Sequence, residues 1–232
     1  MISSSLDKRL LSCAGYVRAG AVFADIGTDH GYLPIFLLKS ARIARAYLCD
    51  VNEGPLSSAR ANVLSEGLID SCEFVLTDGA AALAEKGITD YAVCGMGGEL
   101  IASIIDAAEH LKRSGVRLIL QPMTKQAHLR RYLLTAGFAI LKECYSFADG
   151  KYYLTLVAEY TGECREPDII EAELGSESTP DGDRVAHIGY LEGKARAFSK
   201  TIEGKAVAGL PSDTERALLD AVKERIALIE KT

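Results

Sequence analysis

What this 232-residue chain lacks narrows it first. No apolar stretch approaches the roughly 20 residues that span a bilayer, and residues 1–11 show no basic region leading into a long apolar core, so a cytoplasmic protein without a membrane partner is expected. None of its six cysteines forms a CxxC pair. Cys13, Cys49, Cys72, Cys94, Cys144 and Cys164 are widely spaced and mostly set in apolar runs, which predicts reduced, buried thiols rather than a disulfide framework. There is no low-complexity segment, no internal repeat and no sign of an obligate protein partner. A global basic signal is missing too, since the formal net charge is −6. Much of that charge comes from residues 161–182, where Glu163, Glu166, Asp168, Glu171, Glu173, Glu177 and Asp181 face Arg165 alone; without this segment acids and bases balance. A nucleic-acid partner must therefore be argued from local patches.

What is present is headed by DIGTDHGYLP at residues 25–34, directly after the apolar run Ala21, Val22, Phe23, Ala24. It reads as a buried strand ending in an acid, a glycine-bearing turn and a helix, the layout by which open α/β sheets place a ligand beyond a strand's carboxyl end. Its glycines are Gly27 and Gly31, and Asp29 stands where a dinucleotide fingerprint would carry its second glycine. That departure argues against NAD. A sulfonium cofactor has no pyrophosphate to cradle; its amino-acid end offers a carboxylate to backbone N–H groups and an ammonium to an acid, both of which this turn supplies. S-adenosyl-L-methionine is the expected cofactor.

Strand-like and helix-like runs alternate through the first two thirds of the chain, the pattern of a doubly wound, Rossmann-like α/β sheet. Strands are predicted over 22–26, 46–50, 73–76, 91–95 and 117–121, with helices over 32–39, 56–66, 99–112 and 125–136. Two further strands, 139–146 and 152–160, join through Asp149 and Gly150, a strong hairpin dipeptide. Residues 161–183, rich in Glu, Gly, Ser and Pro, read as a linker. Beyond it, stretches over 184–208 and 212–231 flank Gly209, Leu210 and Pro211; Leu218, Leu219, Val222, Ile226 and Ile229 recur at near-heptad spacing, as in a helical hairpin. The expected division is a methyltransferase domain over 1–160 and an acidic linker plus C-terminal α-helical hairpin over 161–232. At 48% apolar composition the chain can bury one full core.

Further residues fall at strand ends. Asp50 lies 25 residues after Asp25, where an acid accepts hydrogen bonds from both ribose hydroxyls. Asp78 and Gly79 follow the third strand; the carboxylate can accept an adenine amino proton or simply cap the next helix. CGMGG, 94–98, ends the fourth strand where many amino-methylating enzymes carry an Asn-Pro-Pro-aromatic loop; three glycines there imply close backbone approach to a ligand or substrate. Gln121 and Pro122 end the fifth strand beside Lys125, His128, Arg130 and Arg131, a phosphate contact or a solvated helix face. His30 has no second His or Cys near it, so a structural or substrate-facing imidazole is expected and no metal. Tyr32 is either a packed helix residue or a stacking platform.

The segments DIGTDHGYLP, CDVNEGPLSSARANV, VCGMGGELI and LILQPMTKQAHLRRYLLTAGF, with the N-terminal LDKRLLSCAGYV, resemble the bacterial tRNA (adenine(22)-N(1))-methyltransferases. The likeness covers most of the chain and weakens after about residue 161. It implies a class I methyltransferase domain with a coiled-coil-like C-terminal domain, methylating N1 of an adenosine in the tRNA D-arm by direct in-line attack of the base nitrogen. It implies Asp25, Gly27, Thr28 and Asp29 at the methionine end of the cofactor, Asp50 and Val51 at its ribose, Asp78 and Gly79 at its adenine, and Gly95 with Met96 at the methyl-transfer face. Asp29, His30 and Tyr32 are the candidate catalytic residues: Asp29 to accept the N6 proton, His30 to relay it and Tyr32 to stack on the flipped base. Lys194, Arg196, Lys200 and Lys205 of the hairpin are expected to read tRNA shape. A methyltransferase for another RNA, a small molecule or a protein is the alternative, and a binding module that lost the chemistry is the second rival.

Overall fold

The computed structural model describes residues 6–176 and 180–231. Apolar runs too short for helices form β1 (Val22–Ile26), β2 (Arg45–Asp50), β3 (Cys72–Leu76), β4 (Asp90–Gly97) and β5 (Arg117–Thr124), all parallel. Between or before them lie α1 (Lys8–Tyr16), α2 (Tyr32–Lys39), α3 (Glu53–Ser65) and α4 (Gly98–Asp106), and after them α5 (Gln126–Thr135). β6 (Phe138–Ala148) and β7 (Lys151–Tyr160) finish the meander, with β7 antiparallel to both β5 and β6. Asp149 and Gly150 both take left-handed backbone, φ 48° and 75°, as a tight hairpin matched to strand twist requires. The strand order is β3-β2-β1-β4-β5-β7-β6, with one further short strand, β8 (Pro180–Gly182), beyond β6.

Each face of this sheet carries its own core, because side chains alternate along a strand. In β5, Ile119 joins Phe23, Leu33, Leu37 and Leu48 under α1, α2 and α3, while Leu118 and Leu120 join Ile101, Ile105 and Leu129 under α4 and α5. Among the described residues no helix is long and apolar enough to cross a membrane.

Three expectations are corrected. The stretch read as a linker holds α6 (Ile169–Leu174) and β8 (Pro180–Gly182), a parallel addition to β6 at the sheet edge; Glu177 lies outside the described residues. The helix predicted over 99–112 ends at Asp106, followed by a separate single turn at Glu109–Leu111. Of the six thiols, all free, only Cys13, Cys49 and Cys144 are buried; Cys72 and Cys94 are half-buried and Cys164 is exposed.

α7 (Arg184–Val207) and α8 (Asp213–Lys231) pair as the predicted hairpin. Asp183 caps α7 by accepting from the amides of Val185 and Ala186. Leu191 and Val222 meet Leu174 of α6, so α6 is the wedge between sheet and hairpin. Two buried arginines hold the end of that wedge. Arg130 of α5 donates to the carbonyls of Ala172 and Glu173, each at 3.1 Å, and Arg225 of α8 to those of Leu174 and Gly175 at 3.1 and 2.7 Å. The last carbonyls of a helix have no partner within it, and here both neighbouring elements supply one.

Candidate active site

The strand order reverses between β1 and β4, so their carboxyl ends diverge and open a crevice where open α/β sheets bind ligands. DIGTDH leaves β1 at that point and CGMGG ends β4. They meet: a Cβ on Gly27 would overlap the Met96 methyl group, so Met96 lies across the first turn because Gly27 has no side chain.

Asp25 is 5% exposed, and Thr28 Oγ1 donates to its Oδ2 at 2.8 Å. Burial pushes the carboxyl up to about 7; the Thr28 hydroxyl opposes this and the Asp50 charge adds to it. No cation is paired with Asp25 among the described residues. The amides of Gly27 and Thr28 both donate to the Cys49 carbonyl, at 2.8 and 2.9 Å, tying the turn to β2. These two amides are therefore engaged within the fold rather than turned to a ligand carboxylate. Asp29 is non-glycine at φ 49°, a left-handed position that Asp tolerates better than most residues. Its side chain is 71% exposed, with Oδ1 3.6 Å from His30 Nε2. The rings of His30 and Tyr32 lie 5.3 Å apart, tilted by 31°, and Asn62 Nδ2 fixes the His30 carbonyl at 3.0 Å. Tyr32 is exposed at the head of α2, which answers the packed-residue alternative against packing. Gly31 serves the scaffold: at φ 71° a Cβ there would stand 3.0 Å from Leu48 and 3.3 Å from Ala59, so α2 can approach β2 and α3.

The neighbouring strand ends complete the rim. Asp50 ends β2, its Oδ1 accepting from the Asn52 amide at 2.9 Å, and Val51 beyond it is exposed. Asp78 is exposed after β3 and caps nothing: the next single turn, Ala81–Leu83, begins after Ala80 without a side-chain cap. Gly79 takes φ 74°, and Ile104 of α4 lies under it.

CGMGG divides in two. Gly95, at φ 81°, sits at a register shift between β4 and β5, a bulge that turns its amide onto Gln121 Oε1 at 3.1 Å. Gly98 instead faces protein, because a Cβ there would overlap the Lys125 carbonyl. Close approach to a ligand therefore fits Gly95 but not Gly98.

The basic stretch after β5 is corrected as well. Arg130 is fully buried and forms a two-pronged pair with Glu143 at 2.9 Å on each prong; it meets no solvent-borne phosphate. Arg131 is ion-paired with Glu166, and Gln121 is fully buried and already accepts from Arg9 and Gly95. Lys125, 3.7 Å from Glu99, and His128 remain exposed. In the hairpin, Lys194 pairs with Glu173 and Lys205 with Glu215, at 2.7 and 2.6 Å, leaving Arg196, 3.9 Å from Glu192, and Lys200 as the exposed cations of the predicted four. Arg9 was not singled out from the sequence; a base in the amphipathic turn of LDKRLL was the available signal.

A family model described as "Methyltransferase domain" matches residues 6–156. The chain belongs to this methyltransferase domain family. It is 36% identical over 154 residues to the tRNA (adenine(22)-N(1))-methyltransferase of Bacillus subtilis (strain 168), covering 66% of this chain and 65% of that one, just under two thirds of the relative. Among solved structures, it resembles Streptococcus pneumoniae Sp1610 in complex with S-adenosyl-L-methionine, with TM-score 0.79 and 30% identity over 96% of this chain and 100% of the other. It also resembles M. capricolum TrmK in complex with S-adenosyl-homocysteine, with TM-score 0.74 and 27% identity over 97% and 96% of the two chains. The methyltransferase domain thus reaches the end of β5 and most of the β6–β7 hairpin, with α6 and the helical hairpin after it.

Proposed function

We propose that this chain transfers a methyl group from S-adenosyl-L-methionine to N1 of an adenosine in the tRNA D-arm, position 22. The observation that carries the reading is the crossing of Met96 over Gly27 at the switch point, with Asp25, Asp50 and Asp78 on successive strand ends beside it. The similarity to relatives named for this reaction supports the substrate. In this reading residues 1–160 carry the cofactor and chemistry, and 161–232 contribute to holding tRNA.

The residues present fit the cofactor, since Asp25 is a buried carboxyl with a hydroxyl donor but, among the described residues, no cation against it. Asp25 and Asp29, with Gly27 and Thr28 shaping the turn, hold the methionine end. Asp50 and Val51 hold the ribose, and Asp78 with Gly79 the adenine. Gly95 and Met96 bound the methyl-transfer face. When bound, the cofactor supplies an activated methyl group. N1 of adenine carries an in-plane lone pair, so the protein's task is alignment rather than deprotonation, and proximity contributes several kcal/mol. Methylation leaves the base cationic. Asp29 accepts its N6 proton and stabilises the charge as it develops, His30 relays that proton outward, and Tyr32 stacks on the base.

The test is transfer of labelled methyl from S-adenosyl-L-methionine to unfractionated bacterial tRNA, followed by nucleoside analysis. N1-methyladenosine is the expected product; cofactor binding without it would contradict the tRNA reading.

A further inference from the structure

Several arginines packed against the sheet are held by carboxylates. Arg18 is locked on Asp90, Arg117 on Glu159, Arg130 on Glu143 and Arg131 on Glu166. Arg9 is fixed differently. Its Nη1 donates to Gln121 Oε1 at 2.9 Å, a neutral partner, while among the described residues its carboxylate contact, Asp7, is a longer one at 3.4 Å. Gln121 is fully buried, and the same oxygen accepts the Gly95 amide, so the anchor is rigid and is shared with the bulge of CGMGG. The Tyr153 ring supports the guanidinium from one side, 5.9 Å from its centroid. A Cβ on Gly95 would stand 3.7 Å from Arg9 Nη1, which puts the cation beside that glycine.

The acid nearest Arg9 does not neutralise it well. Asp7 Oδ2 stands 3.4 Å from Nη2, long for a charge-assisted bond, while Oδ1 caps α1 by accepting from the Leu10 amide at 2.7 Å. The Arg9 side chain is 21% exposed. A pre-positioned, partly desolvated guanidinium at the mouth of a site, only loosely paired, suits an anion that presents two acceptor oxygens side by side. A nucleic-acid backbone offers that group once per nucleotide, and such contacts fix register rather than sequence.

We propose that Arg9 binds a phosphate of the tRNA flanking the target nucleotide, setting the depth at which the base enters between Gly95 and Tyr32. This rests on the tRNA reading above. It makes α1 part of the substrate site rather than only a cover for the sheet.

The experiment measures binding of unfractionated bacterial tRNA over a salt series, with S-adenosyl-homocysteine affinity and the kcat and KM of methyl transfer determined on the same preparations, for the unaltered chain, Arg9→Gln and Arg9→Lys. Arg9→Gln is expected to lower the slope of log affinity against log salt by about 0.7 to 0.9, the loss of one phosphate contact, and to weaken tRNA binding about tenfold. Arg9→Lys is expected to keep the slope while raising the KM for tRNA, because it keeps charge and loses the fork. S-adenosyl-homocysteine affinity is expected to stay within about twofold in both. An Arg9→Gln chain that binds tRNA with an unchanged slope and shows a fall in kcat alone would overturn the inference and leave Arg9 as a brace for Gly95 through Gln121. An unaltered chain that binds S-adenosyl-homocysteine but no tRNA would overturn the tRNA reading and this inference together.

Discussion

Asp25 and Glu143 are both buried carboxylates on strands of one sheet, and the protein surrounds them in opposite ways. Glu143 receives two bonds from Arg130 and a third from the Tyr145 hydroxyl, all at 2.9 Å. Asp25 receives one, from Thr28, and burial lifts its carboxyl to about 7. A buried charge with its partners complete holds parts together; one that lacks a cation is held in readiness for a ligand that brings it. The first joins α5, β6 and α6 and, through Tyr145, the α7 residue His187, whose ring stacks on it at 3.9 Å and 2°. The second lies where β1 and β4 part.

Breaking the complete site is expected to have the largest effect. Glu143→Ala strands Arg130 in the core and is expected to cost about 3–5 kcal/mol of stability by urea denaturation. The double change Arg130→Met with Glu143→Leu is expected to cost much less, since neither charge is left unpaired. If the single change costs less than the double, the pair is not what holds this corner.

The next effect falls on the rim of the incomplete site. Asp29→Ala is expected to reduce turnover about a hundredfold, about 2.7 kcal/mol of barrier, with S-adenosyl-homocysteine affinity within a few fold. Equal turnover in the variant would remove Asp29 from the chemistry.

The two sites also predict pH effects of opposite sign. Burial, with the Arg225 and Arg130 charges, holds the His187 imidazole down to about 4 against an ordinary 6.5, and its Nε2 is buried without a hydrogen-bond partner among the described residues. The unfolded chain then binds the extra proton between those values. This contribution to stability is complete above about 6.5 and is lost as pH falls toward about 4. Asp25 is the reverse: the folded chain holds its proton up to about 7, the unfolded one only to 3.8, so its contribution weakens as pH rises through that window. Thermal melts are expected to lose the fall in stability from about 6.5 toward about 4 in His187→Phe, and the fall with rising pH between 3.8 and about 7 in Asp25→Asn. Melts parallel to the unaltered chain in both would contradict these assignments.

The smallest effect is expected in the hairpin. Reversing Arg196 and Lys200 to Glu is expected to weaken tRNA binding several-fold and flatten its salt dependence. Reversing Lys194 and Lys205, already paired with Glu173 and Glu215, is expected to act on stability instead. Identical effects from the two pairs would refute the distinction.

The strands of the parallel sheet were legible because their signals are local. An apolar run ending in an acid or a glycine turn needs only neighbouring residues to be read, and β1 and α2 fall where the sequence puts them, at Val22–Ile26 and Tyr32–Lys39. What escaped depends on partners far along the chain. α6 forms in an acidic, polar stretch because Asp168 caps its start and arginines from α5 and α8 take its last carbonyls. Arg130 looks like a surface base beside Lys125 and Arg131 until Glu143, across the turn into β6, takes it into the core. Gly98 reads like Gly95 in the string CGMGG, and only the position of Lys125 separates a packing glycine from one that faces the crevice. Asp29, His30 and Tyr32 could be grouped from the sequence because the turn after β1 and the first residue of α2 carry all three within four positions.

The most direct test of the contrast between the two carboxylates is calorimetric binding of S-adenosyl-homocysteine from about pH 5.5 to about 8.5 by the unaltered chain and by Asp25→Asn. Affinity in the unaltered chain is expected to rise with pH until Asp25 has ionised, near 7, and then to level, while the variant binds more weakly and without that rise. An equal rise in both chains would show that Asp25 is not the group the ligand's ammonium completes, and the account of the incomplete site would fail.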